Sequence, residues 1–408
     1  TKQLSTEGIN IIYTDDFSLI DDAFKTTDGH SLVVYTPAVP AELNILDQFQ
    51  QLGHILFKRS QVLGLISQSR FTIAVAGTHG KTTTSTLIAH ILNDSGYGCS
   101  AFLGGISSNY NSNVLFSDNN VVVVEADEYD RSFLTLYPDI AVVTSTDPDH
   151  LDIYGDKNHL HESFGMFLGQ LQPGGTSIVK TGLPFNGTVR YAIGGHADVY
   201  ADRIRIAKGQ FVFDYHSADG TIASIRLGVP GRHNVENAVA AITVARVLAI
   251  PDEKITAALA TFSGVKRRFE YIVKTDEHIY IDDYAHHPEE LRAFLSAVKE
   301  LYPDKKLTAI FQPHLFSRTR DFADDFAEVL ATVDSLLLME IYPARELPIK
   351  GVTSQMLLDK ISVADKQLVT PAQVADYVRA YKPQLLVTVG AGDIDLLVEP
   401  LKEILQDA

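Results

Sequence analysis

The sequence predicts an α/β protein with three domains, and three observations support this prediction. The chain has 408 residues, more than one hydrophobic core usually serves. Continuous apolar runs such as VVVV and IAVV are typical of strands that are buried in a parallel sheet. These runs alternate with helical patterns along most of the chain, which indicates repeated βα units.

The first region, residues 1–68, carries two strand-like runs, INIIYT and SLVVYT, and a predicted helix within AELNILDQFQQLG. It is α/β in character but small for an independent domain. The chain begins without a methionine. We therefore expect it to be trimmed at its start.

The second region, residues 69–264, has the clearest pattern. A predicted strand, FTIAVAG, leads into a glycine-containing loop and a helix that runs through Leu92. Two further buried strands are predicted in VVVVEADE and IAVVTST. Alternating segments such as RYAIGG and GQFVFDYHS indicate an antiparallel patch on the same sheet, and GRHNVENAVAAITVARVLAI predicts a long helix.

The third region, residues 265–408, returns to a βα pattern. Strand-to-helix turns are predicted in IYIDDYAHHPEEL and in TAIFQPHLFSRTRD. A further strand is predicted in QLLVTVGAGD.

Composition limits the possible functions. The net charge of −17 argues against a nucleic-acid partner, since a phosphate backbone requires a basic surface. Cys99 is the only cysteine, so no intramolecular disulfide can form, and a reducing cytoplasm is expected. No apolar run approaches the ~20 residues that span a bilayer, so we expect a folded, soluble protein with no membrane insertion.

The loop after the first central strand is predicted to bind phosphate. It reads Gly77-Thr78-His79-Gly80-Lys81-Thr82, with Val75 where the usual G-x-x-x-x-G-K-[ST] pattern has its first glycine. Backbone N–H groups and the helix N-terminus would face the phosphates, Lys81 would reach the outer ones, and Thr82 would bind magnesium. The alternative is a glycine turn that begins a helix with a surface lysine.

Two other strand ends carry possible metal ligands. Glu125 follows four valines, and Asp149 and His150 follow IAVVTST. The carboxyl ends of parallel strands meet at one edge of a sheet, so these groups could join the phosphate loop in a magnesium site. Alternatively, these polar residues simply solvate the strand ends.

Asn234 and Asn237 allow two interpretations. Asn234 could cap the following helix. Alternatively both amides, three residues apart on one helical face, could bind the adenine or a phosphate of a nucleotide.

The third region carries candidate substrate-binding residues on two turns. The first has Asp282, Asp283, Tyr284, His286 and His287; the second has His314, Arg318 and Arg320. No third ligand follows the paired histidines at a zinc spacing, so zinc is not predicted. The arginines suit a carboxylate ligand, although they could form a solvated surface. Arg267 and Arg268, at the expected interdomain joint, could contact phosphate or solvate a linker.

Several segments resemble motifs of one known family in content and order. They are AGTHGKTTT, EADEYDRSF, STDPDHLDIYGD, PGRHNVENA, GVKRRFE, DDYAHHPEE and FQPHLFSRTRD. This order is similar to that of the Mur ligases, ATP-dependent amide-forming enzymes of peptidoglycan synthesis. The resemblance implies a partial Rossmann-like domain for a UDP substrate at residues 1–68, a P-loop-type ATP-binding domain at 69–264 and a Rossmann-like amino-acid-binding domain at 265–408.

The resemblance also implies roles for individual residues. It implies Mg²⁺ on Thr82 and Glu125, a second ion on His150, and catalytic roles for Lys81, His150, Arg268 and His286. Substrate contacts are implied for Tyr284, His286, His314 and Arg318. ATP contacts are implied for Gly77, Thr78, His79, Gly80, Lys81, Thr82, Thr83, Asn234 and Asn237.

The implied substrates are UDP-N-acetylmuramate and L-alanine. Two positions depart from relatives: Leu315 stands where some have arginine, and Phe164 stands where later-acting members carry a carbamylated lysine. The second departure favours the first, alanine-adding step. A ligase that attaches a preformed tripeptide, a P-loop phosphotransferase and a nucleotide-binding module without turnover are the competing hypotheses. Oligomeric state is not predicted.

One further expectation concerns the uridine diphosphate group. Family members begin with a strand and a G-x-G-x-x-G turn that receives it, and residues 1–68 contain no such turn. We therefore expect this 408-residue chain to bind UDP-N-acetylmuramate poorly.

Overall fold

The structure is a computed structural model that describes residues 2–36, 39, 43–147, 156–344 and 346–406. Its strands form three sheets, of two, ten and six strands. The predicted α/β class is therefore confirmed, and the strand at the centre of the large sheet carries the glycine loop. The predicted domain boundaries stay a prediction.

The N-terminal region contains the two-stranded parallel sheet. SLVVYT contributes its strand as predicted, but INIIYT does not form one: residues 9–14 have no strand. The predicted helix within AELNILDQFQQLG is confirmed. The elements are α1 (Lys2–Thr6), β1 (Val33–Tyr35), α2 (Asn44–Gln51), β2 (Leu56–Lys58) and α3 (Arg59–Gln68), with short 3₁₀ turns at Phe17–Leu19 and Asp22–Phe24.

The central region is built on the ten-stranded sheet. Its order is β12-β11-β10-β9-β8-β7-β3-β6-β4-β5, so β3 lies between β7 and β6 and is parallel to both. The strands are β3 (Phe71–Ala76), β4 (Ser100–Ser107), β5 (Ser112–Leu115), β6 (Val121–Ala126), β7 (Ile140–Val143), β8 (Thr176–Lys180), β9 (Val189–Ile193), β10 (Val199–Ala207), β11 (Gln210–Ser217) and β12 (Gly220–Leu227).

Helices cover both faces of this sheet, which is why its central strands read as continuous apolar runs. On one face the phosphate-loop helix packs with the GRHNVENA helix, and on the other a cluster of phenylalanines is buried. The elements are α4 (Lys81–Asp94), a 3₁₀ segment (Tyr129–Thr135), α5 (Lys157–Gly169), α6 (Arg232–Val247) and α7 (Asp252–Thr261).

The antiparallel patch is confirmed for part of its predicted length. β10, β11 and β12 pair antiparallel to one another. The strand from RYAIGG, however, is β9, which runs parallel to both β8 and β10. Its alternation reflects partial exposure near the end of the parallel sheet, since an alternating pattern reports which faces are buried and not the strand direction.

The C-terminal region is a six-stranded sheet of order β13-β14-β18-β15-β16-β17. All pairs are parallel except β13 with β14, and apolar clusters lie on both faces. The strands are β13 (Glu270–Lys274), β14 (Ile279–Asp283), β15 (Leu307–Phe311), β16 (Ser335–Leu338), β17 (Asp365–Leu368) and β18 (Leu385–Val389). The helices are α8 (Pro288–Leu301), α9 (Phe316–Asp321), α10 (Ala323–Leu330), α11 (Ser354–Lys360), α12 (Pro371–Tyr381) and α13 (Val398–Gln406), with a 3₁₀ turn at Asp393–Leu397.

A short joint connects the two large sheets. It is anchored to the end of β4, where Ser108 N donates to Gly264 O and Lys266 N donates to Ile106 O, each at 2.9 Å. Arg267 and Phe269 both have positive φ, at 60° and 49°. These two residues turn the chain from the central sheet into β13.

Among the described helices, none has the length and apolar character required to cross a membrane.

We expect Phe164→Ala to destabilise the central region strongly. The Phe164 side chain is fully buried, and its ring meets that of Phe133 edge-on at 5.2 Å. Removing a buried ring leaves a cavity that typically costs roughly 3–5 kcal/mol of unfolding free energy. Chemical denaturation followed by circular dichroism would measure the shift in the transition.

The matched control is Met166→Ala on the same helix. Met166 is 57% exposed, so this truncation should change the unfolding free energy by less than about 1 kcal/mol. Similar shifts for both variants would contradict the proposed role of Phe164 in the core.

Candidate active site

At two positions the glycine loop packs so closely against its neighbours that only a glycine, which has no Cβ, fits there. Gly77 has φ 143°, and a Cβ there would stand 2.1 Å from Thr144 Oγ1. Gly80 has φ 84°, and its Cβ would stand 2.8 Å from Asn237 Oδ1. The loop is thus seated against the end of β7 and against α6, so the glycine spacing is a packing requirement.

Ser145 holds the loop from the neighbouring strand end. His79 N donates to Ser145 Oγ at 2.7 Å, Thr78 N donates to Ser145 O at 3.2 Å, and the two hydroxyls of Thr78 and Ser145 lie 3.0 Å apart. These bonds leave the loop directly in front of the α4 N-terminus. Such an arrangement of backbone and helix dipole is suited to an anion.

Lys81, the first residue of α4, is bound by the loop and by a buried carboxylate. Its Nζ donates to Gly77 O at 2.7 Å and lies 3.0 and 2.7 Å from the two carboxylate oxygens of Glu128. The Glu128 side chain is fully buried. Burial opposes the charge on Lys81, but Glu128, Glu125 and Asp127 hold the pKa of Lys81 above its usual value, so it is a cation at neutral pH.

Glu128 was not singled out from the sequence. Its signal is the EADE string, which places Glu125 and Glu128 three residues apart just beyond a buried strand. The first glutamate continues the strand, whereas the second lies where the chain enters a 3₁₀ segment and turns inward. That inward turn brings it to Lys81.

Two of the three predicted metal ligands lie together. Thr82 Oγ1 donates to Glu125 Oε1 at 3.0 Å, and the other oxygen of Glu125 accepts from Gly104 N at 2.8 Å. An alcohol and a carboxylate at this distance are hard oxygen donors of the type that magnesium prefers. His150, the third predicted ligand, lies outside the described residues, as does Asp149.

Arg267 and Arg268 have separate roles at the joint. Arg268 Nη2 lies 3.4 Å from Thr82 Oγ1, one of the predicted metal ligands. Arg267 instead belongs to the C-terminal sheet, where its Nε donates to Asp282 at 3.1 Å, its Nη2 donates to Gly390 O at 2.7 Å and its guanidinium lies over the Tyr284 ring. Of the two arginines, the structure therefore places Arg268 beside the phosphate loop.

A glutamate connects the loop to the C-terminal region. Glu290 Oε1 lies 3.2 Å from His79 Nδ1, and Oε2 lies 3.3 Å from His286 Nδ1 and accepts from His286 N at 3.1 Å. Burial disfavours ionisation of Glu290, but His286, His79 and Arg268 hold its pKa well below the usual range. It is therefore a carboxylate that binds two histidines from different regions.

The paired histidines serve different purposes. His287 is the N-cap of α8, where its Nδ1 accepts from Glu289 N at 3.4 Å, and Glu290 completes the capping box. His286 lies beside Tyr284 in the turn between β14 and α8.

The four predicted substrate residues form one cluster. The rings of His286 and His314 are 5.8 Å apart, Tyr284 lies 5.3 Å from His286, and Arg318 Nη1 lies 3.3 Å from His314 Nδ1. Arg318 is buried, whereas Arg320 faces solvent and pairs with Asp321. Residue chemistry alone did not distinguish the two arginines, whereas the family resemblance implied only Arg318; the two also differ in burial.

Leu315 stands at the start of α9 in an unusual conformation. Its φ of 69° is positive, and its N–H donates to Tyr342 O at 2.9 Å. A leucine rarely adopts this region, so the turn is strained between His314 and α9.

Asn234 does not cap α6. Gly231 occupies the N-cap position, so the capping interpretation is wrong. Asn234 Nδ2 donates to Pro230 O at 2.6 Å, and Asn237 Nδ2 donates to Asn234 Oδ1 at 3.2 Å. Both amides lie on the face of α6 that meets the loop at Gly80, as the second interpretation requires.

Two cavities meet at the loop. The smaller, about 180 Å³, lies between α6 and α8, and Asp283 at the end of β14 lines it; burial raises the pKa of Asp283 to about 7. The larger, about 660 Å³, is lined by Thr82 and Glu125, by Tyr284 and His286, and by residues of the N-terminal helix α3. The residues shared by both cavities are His79, Gly80, Arg268 and Glu290.

Two family models match the chain. The Mur ligase middle domain matches residues 75–245, and the glutamate ligase domain of Mur ligases matches residues 267–398. Together they include the glycine loop, both glutamates that follow it, and the turns that carry His286 and Arg318.

Curated relatives cover nearly the whole chain. A UDP-N-acetylmuramate–L-alanine ligase of Parabacteroides distasonis is 48% identical over 413 residues, which is 99% of this chain and 89% of that protein. An enzyme of the same name from Christiangramia forsetii is 45% identical over 405 residues, again 99% and 89%.

Solved structures share the fold. The UDP-N-acetylmuramate-alanine ligase MurC of Thermotoga maritima superposes with a TM-score of 0.84 at 25% identity, over 100% of this chain and 90% of that one. A murein peptide ligase from Psychrobacter arcticus gives 0.66 at 24% identity, over 100% and 91%, which shows the fold alone.

Gly77→Ala should weaken nucleotide binding without unfolding the chain. The added methyl would meet Thr144 Oγ1 at 2.1 Å and Ser145 N at 2.9 Å, so the loop must move away from β7. We expect at least about tenfold weaker ATP binding, equivalent to about 1.4 kcal/mol, in calorimetric titration.

Gly165→Ala is the control for this substitution. Gly165 lies in α5, and nothing stands within 4 Å of an added Cβ. Its ATP affinity should match that of the unmodified protein. Unchanged affinity in Gly77→Ala would show that the loop is not the phosphate site.

Proposed function

The chain belongs to the Mur ligase family, and we propose that it joins L-alanine to UDP-N-acetylmuramate at the expense of ATP. The observation that carries this proposal is the cavity of about 660 Å³, whose lining includes Lys81, Thr82 and Glu125 from the central region and Tyr284 and His286 from the C-terminal region. A phosphate-activating group and an amine-binding group in one cavity suit a ligase. The names of the curated relatives support the substrates.

ATP is assigned to the loop and the smaller cavity. Its phosphates would lie on residues 77–83, where two glycines leave space that any Cβ would fill, and its base would meet Asn234 and Asn237. Magnesium would be held by Thr82, Glu125 and His150; the convergence of two hard oxygen donors supports this assignment. When bound, the ion would neutralise phosphate charge.

The sugar nucleotide is assigned to the N-terminal side of the larger cavity. Val34 and Arg59 of the N-terminal region line this cavity together with the glycine loop. This assigns residues 1–68 to the UDP substrate, 69–264 to ATP and 265–408 to the amino acid. Binding sites in three regions around one cavity fit a reaction with three substrates.

The chemistry proceeds in two stages. The muramoyl carboxylate attacks the γ-phosphoryl group of ATP, forming an acyl phosphate and ADP. The alanine amine then attacks the acyl carbon and expels phosphate. Lys81 and Arg268 are positioned to stabilise the charge on the transferring group, because both reach the loop edge where it would lie.

Alanine is assigned to the cluster around His314. Arg318 would grip the carboxylate, for which its planar donors are suited, and the amine would then lie towards His286. Leu315 contributes no charge at the position where some relatives have arginine. In this chain the buried Arg318 therefore carries the carboxylate contact.

One assay separates the candidate functions. The protein is incubated with ATP, magnesium and a high concentration of UDP-N-acetylmuramate, because weak binding of this substrate is expected, and with alanine, glycine, serine or the recycled tripeptide. The proposal expects phosphate release that requires alanine, together with the amide product. Amide formation with the tripeptide alone would identify a murein peptide ligase, and a phosphorylated product without added amine would identify a phosphotransferase.

Glu125→Gln should raise the magnesium concentration that is needed for half-maximal activity by about tenfold or more, since the amide keeps the shape but loses the charge that a hard cation requires. Magnesium titration of the initial rate measures this shift. Glu253→Gln, an exposed carboxylate on α7, should leave the requirement unchanged. An unaltered requirement in Glu125→Gln would remove Glu125 from the metal site.

Arg318→Ala should raise the KM for alanine by about tenfold or more while changing the KM for ATP by less than about threefold, because the lost contact is to the amino-acid carboxylate. Arg320→Ala on the same helix is the control, since that side chain is exposed and pairs with Asp321. Equal rises in both constants would indicate a general defect in folding.

A further inference from the structure

We propose that Glu236, held by an ion pair with Lys180, reads the base of the nucleotide and selects adenine by its exocyclic amino group. This inference deepens the proposed function and rests on it, since it takes the glycine loop as the ATP site. The two residues lie outside that loop, one at the end of β8 and one on α6. Lys180 Nζ lies 2.9 Å from Glu236 Oε2, and both residues line the smaller cavity.

The sheet order places Lys180 on the side of the loop that is opposite the metal donors. In the ten-stranded sheet β8 is next to β7, β7 is next to β3, and β6 lies on the other side of β3. Ala76, Val143 and Val179 are in register at the ends of β3, β7 and β8. Because neighbouring strands are about 4.8 Å apart, Lys180 lies roughly 10 Å to one side of β3. Glu125 lies on the other side, near the end of β6.

A nucleotide on the loop therefore has a defined direction. Its outer phosphates would lie towards β6, where Thr82 and Glu125 are the proposed magnesium ligands. The rest of the molecule would then extend the other way, across the end of β7 towards β8. Residues that line the smaller cavity follow this path, from Gly80 in the loop through Ser145 after β7 to Lys180 at the end of β8. The base is the part of ATP that reaches Lys180.

The ion pair still has groups to offer a ligand. A carboxylate accepts through two oxygens, and an ammonium donates three hydrogens. Among the residues that the structure describes, neither side chain has a hydrogen bond or ion pair beyond the one that joins them. The side chains of Glu236 and Lys180 are 18% and 35% exposed, so a ligand can reach both. Glu236 Oε1 is therefore an available acceptor with a donor beside it.

The asparagines next to Glu236 are less available. Asn234 Nδ2 donates to Pro230 O at 2.6 Å, and Asn237 Nδ2 donates to Asn234 Oδ1 at 3.2 Å. Both side chains are buried. They can pack against the base, but each already uses an amide hydrogen within the start of α6. Glu236 is the carboxylate that α6 contributes to the cavity.

Adenine offers the complementary groups. Its exocyclic N6 amino group donates, and the ring nitrogens on either side of that group accept. A carboxylate only accepts and an ammonium only donates, so Glu236 suits the amino group and Lys180 suits a neighbouring ring nitrogen. Guanine and hypoxanthine carry the O6 carbonyl at the same place, and a carboxylate repels that oxygen. The pair therefore favours adenine.

The pair also connects β8 to α6, and a purely structural role would require the same contact. The two roles differ in their effect on different nucleotides. A structural connection affects every nucleotide alike, whereas a contact with N6 affects only nucleotides that carry the amino group. Changing the base therefore distinguishes them.

The test is calorimetric titration of the full chain, with magnesium present, against ATP and inosine triphosphate (ITP), which carries O6 in place of the amino group. The unmodified protein should bind ATP at least about tenfold more tightly than ITP. Glu236→Ala should weaken ATP binding by about tenfold and ITP binding by less than about threefold. Glu236→Gln should bring ITP to within about threefold of ATP, because an amide can donate to O6.

Glu300→Ala is the matched control. Glu300 forms another ion pair of α6, with Arg232 at 3.0 Å, and neither residue lines a cavity at the loop. This variant should keep the preference for ATP over ITP. Lys180→Met is a second variant that retains Glu236 but removes the residue that positions it, so the preference should fall by about threefold or more. Circular dichroism confirms that each variant is folded.

The remaining outcomes would overturn the assignment. They are the absence of a preference for ATP in the unmodified protein, and equal weakening of ATP and ITP binding in Glu236→Ala. A third ligand, 2′-deoxy-ATP, tests the ribose: if Glu236→Ala removed a preference for ATP over this ligand and kept the preference over ITP, Glu236 would bind the ribose instead. These titrations need no turnover, so they are separate from the ligation assay. If the unmodified protein bound no nucleotide, the proposed ATP site itself would fail.

Discussion

The ion pair between Lys81 and Glu128 is the interaction on which the rest of the site depends. Lys81 is the first residue of α4, so its position constrains both the loop that precedes it and the start of the helix. A buried cation needs a partner, and removing one member of a buried pair typically costs about 3–5 kcal/mol. Because Lys81 also binds Gly77 O, the pair holds the loop closed over the end of β3.

A second glutamate joins this arrangement to the C-terminal sheet. His79 is part of the phosphate loop, yet its ring binds Glu290 on α8, and Arg268 from the joint reaches Thr82. The loop therefore contacts both the joint and the amino-acid side of the cavity. A displacement of the loop by bound phosphate would be transmitted to His286 through the shared carboxylate.

The elements around β3 were predictable from the sequence because their signals are local. FTIAVAG, VVVVEADE and IAVVTST are continuous apolar runs, and each forms a buried parallel strand. INIIYT has similar residues but no strand partner among the described residues, and β-propensity alone does not create a strand. The strand β9 was predicted to be antiparallel because its polar and apolar residues alternate. This alternation shows which face of a strand is buried, but it does not show whether the strand runs parallel or antiparallel to its neighbours.

The sequence predicted many residues of the candidate site, but it did not predict which side chains contact one another. The motifs pointed to Lys81, Glu125, His286 and Arg318, whereas Glu128 and Glu290 were overlooked because each has a partner in the loop that lies far away in the chain, Lys81 for Glu128 and His79 for Glu290. Carboxylates are common on surfaces, so only burial and a cationic partner distinguish these two. Asn234 was ambiguous because capping depends on φ and ψ at the helix start, where Gly231 lies.

These pairings also explain how a chain of net charge −17 can offer a site for ATP. The donors that face the phosphates already have partners without ligand: the Lys81 cation binds Glu128, and the rings of His79 and His286 share Glu290. Lys81 has three donors and can give one to phosphate while it keeps Glu128. The site therefore needs no strongly basic surface, because local donors, held in place by buried carboxylates, act at the distance of a hydrogen bond.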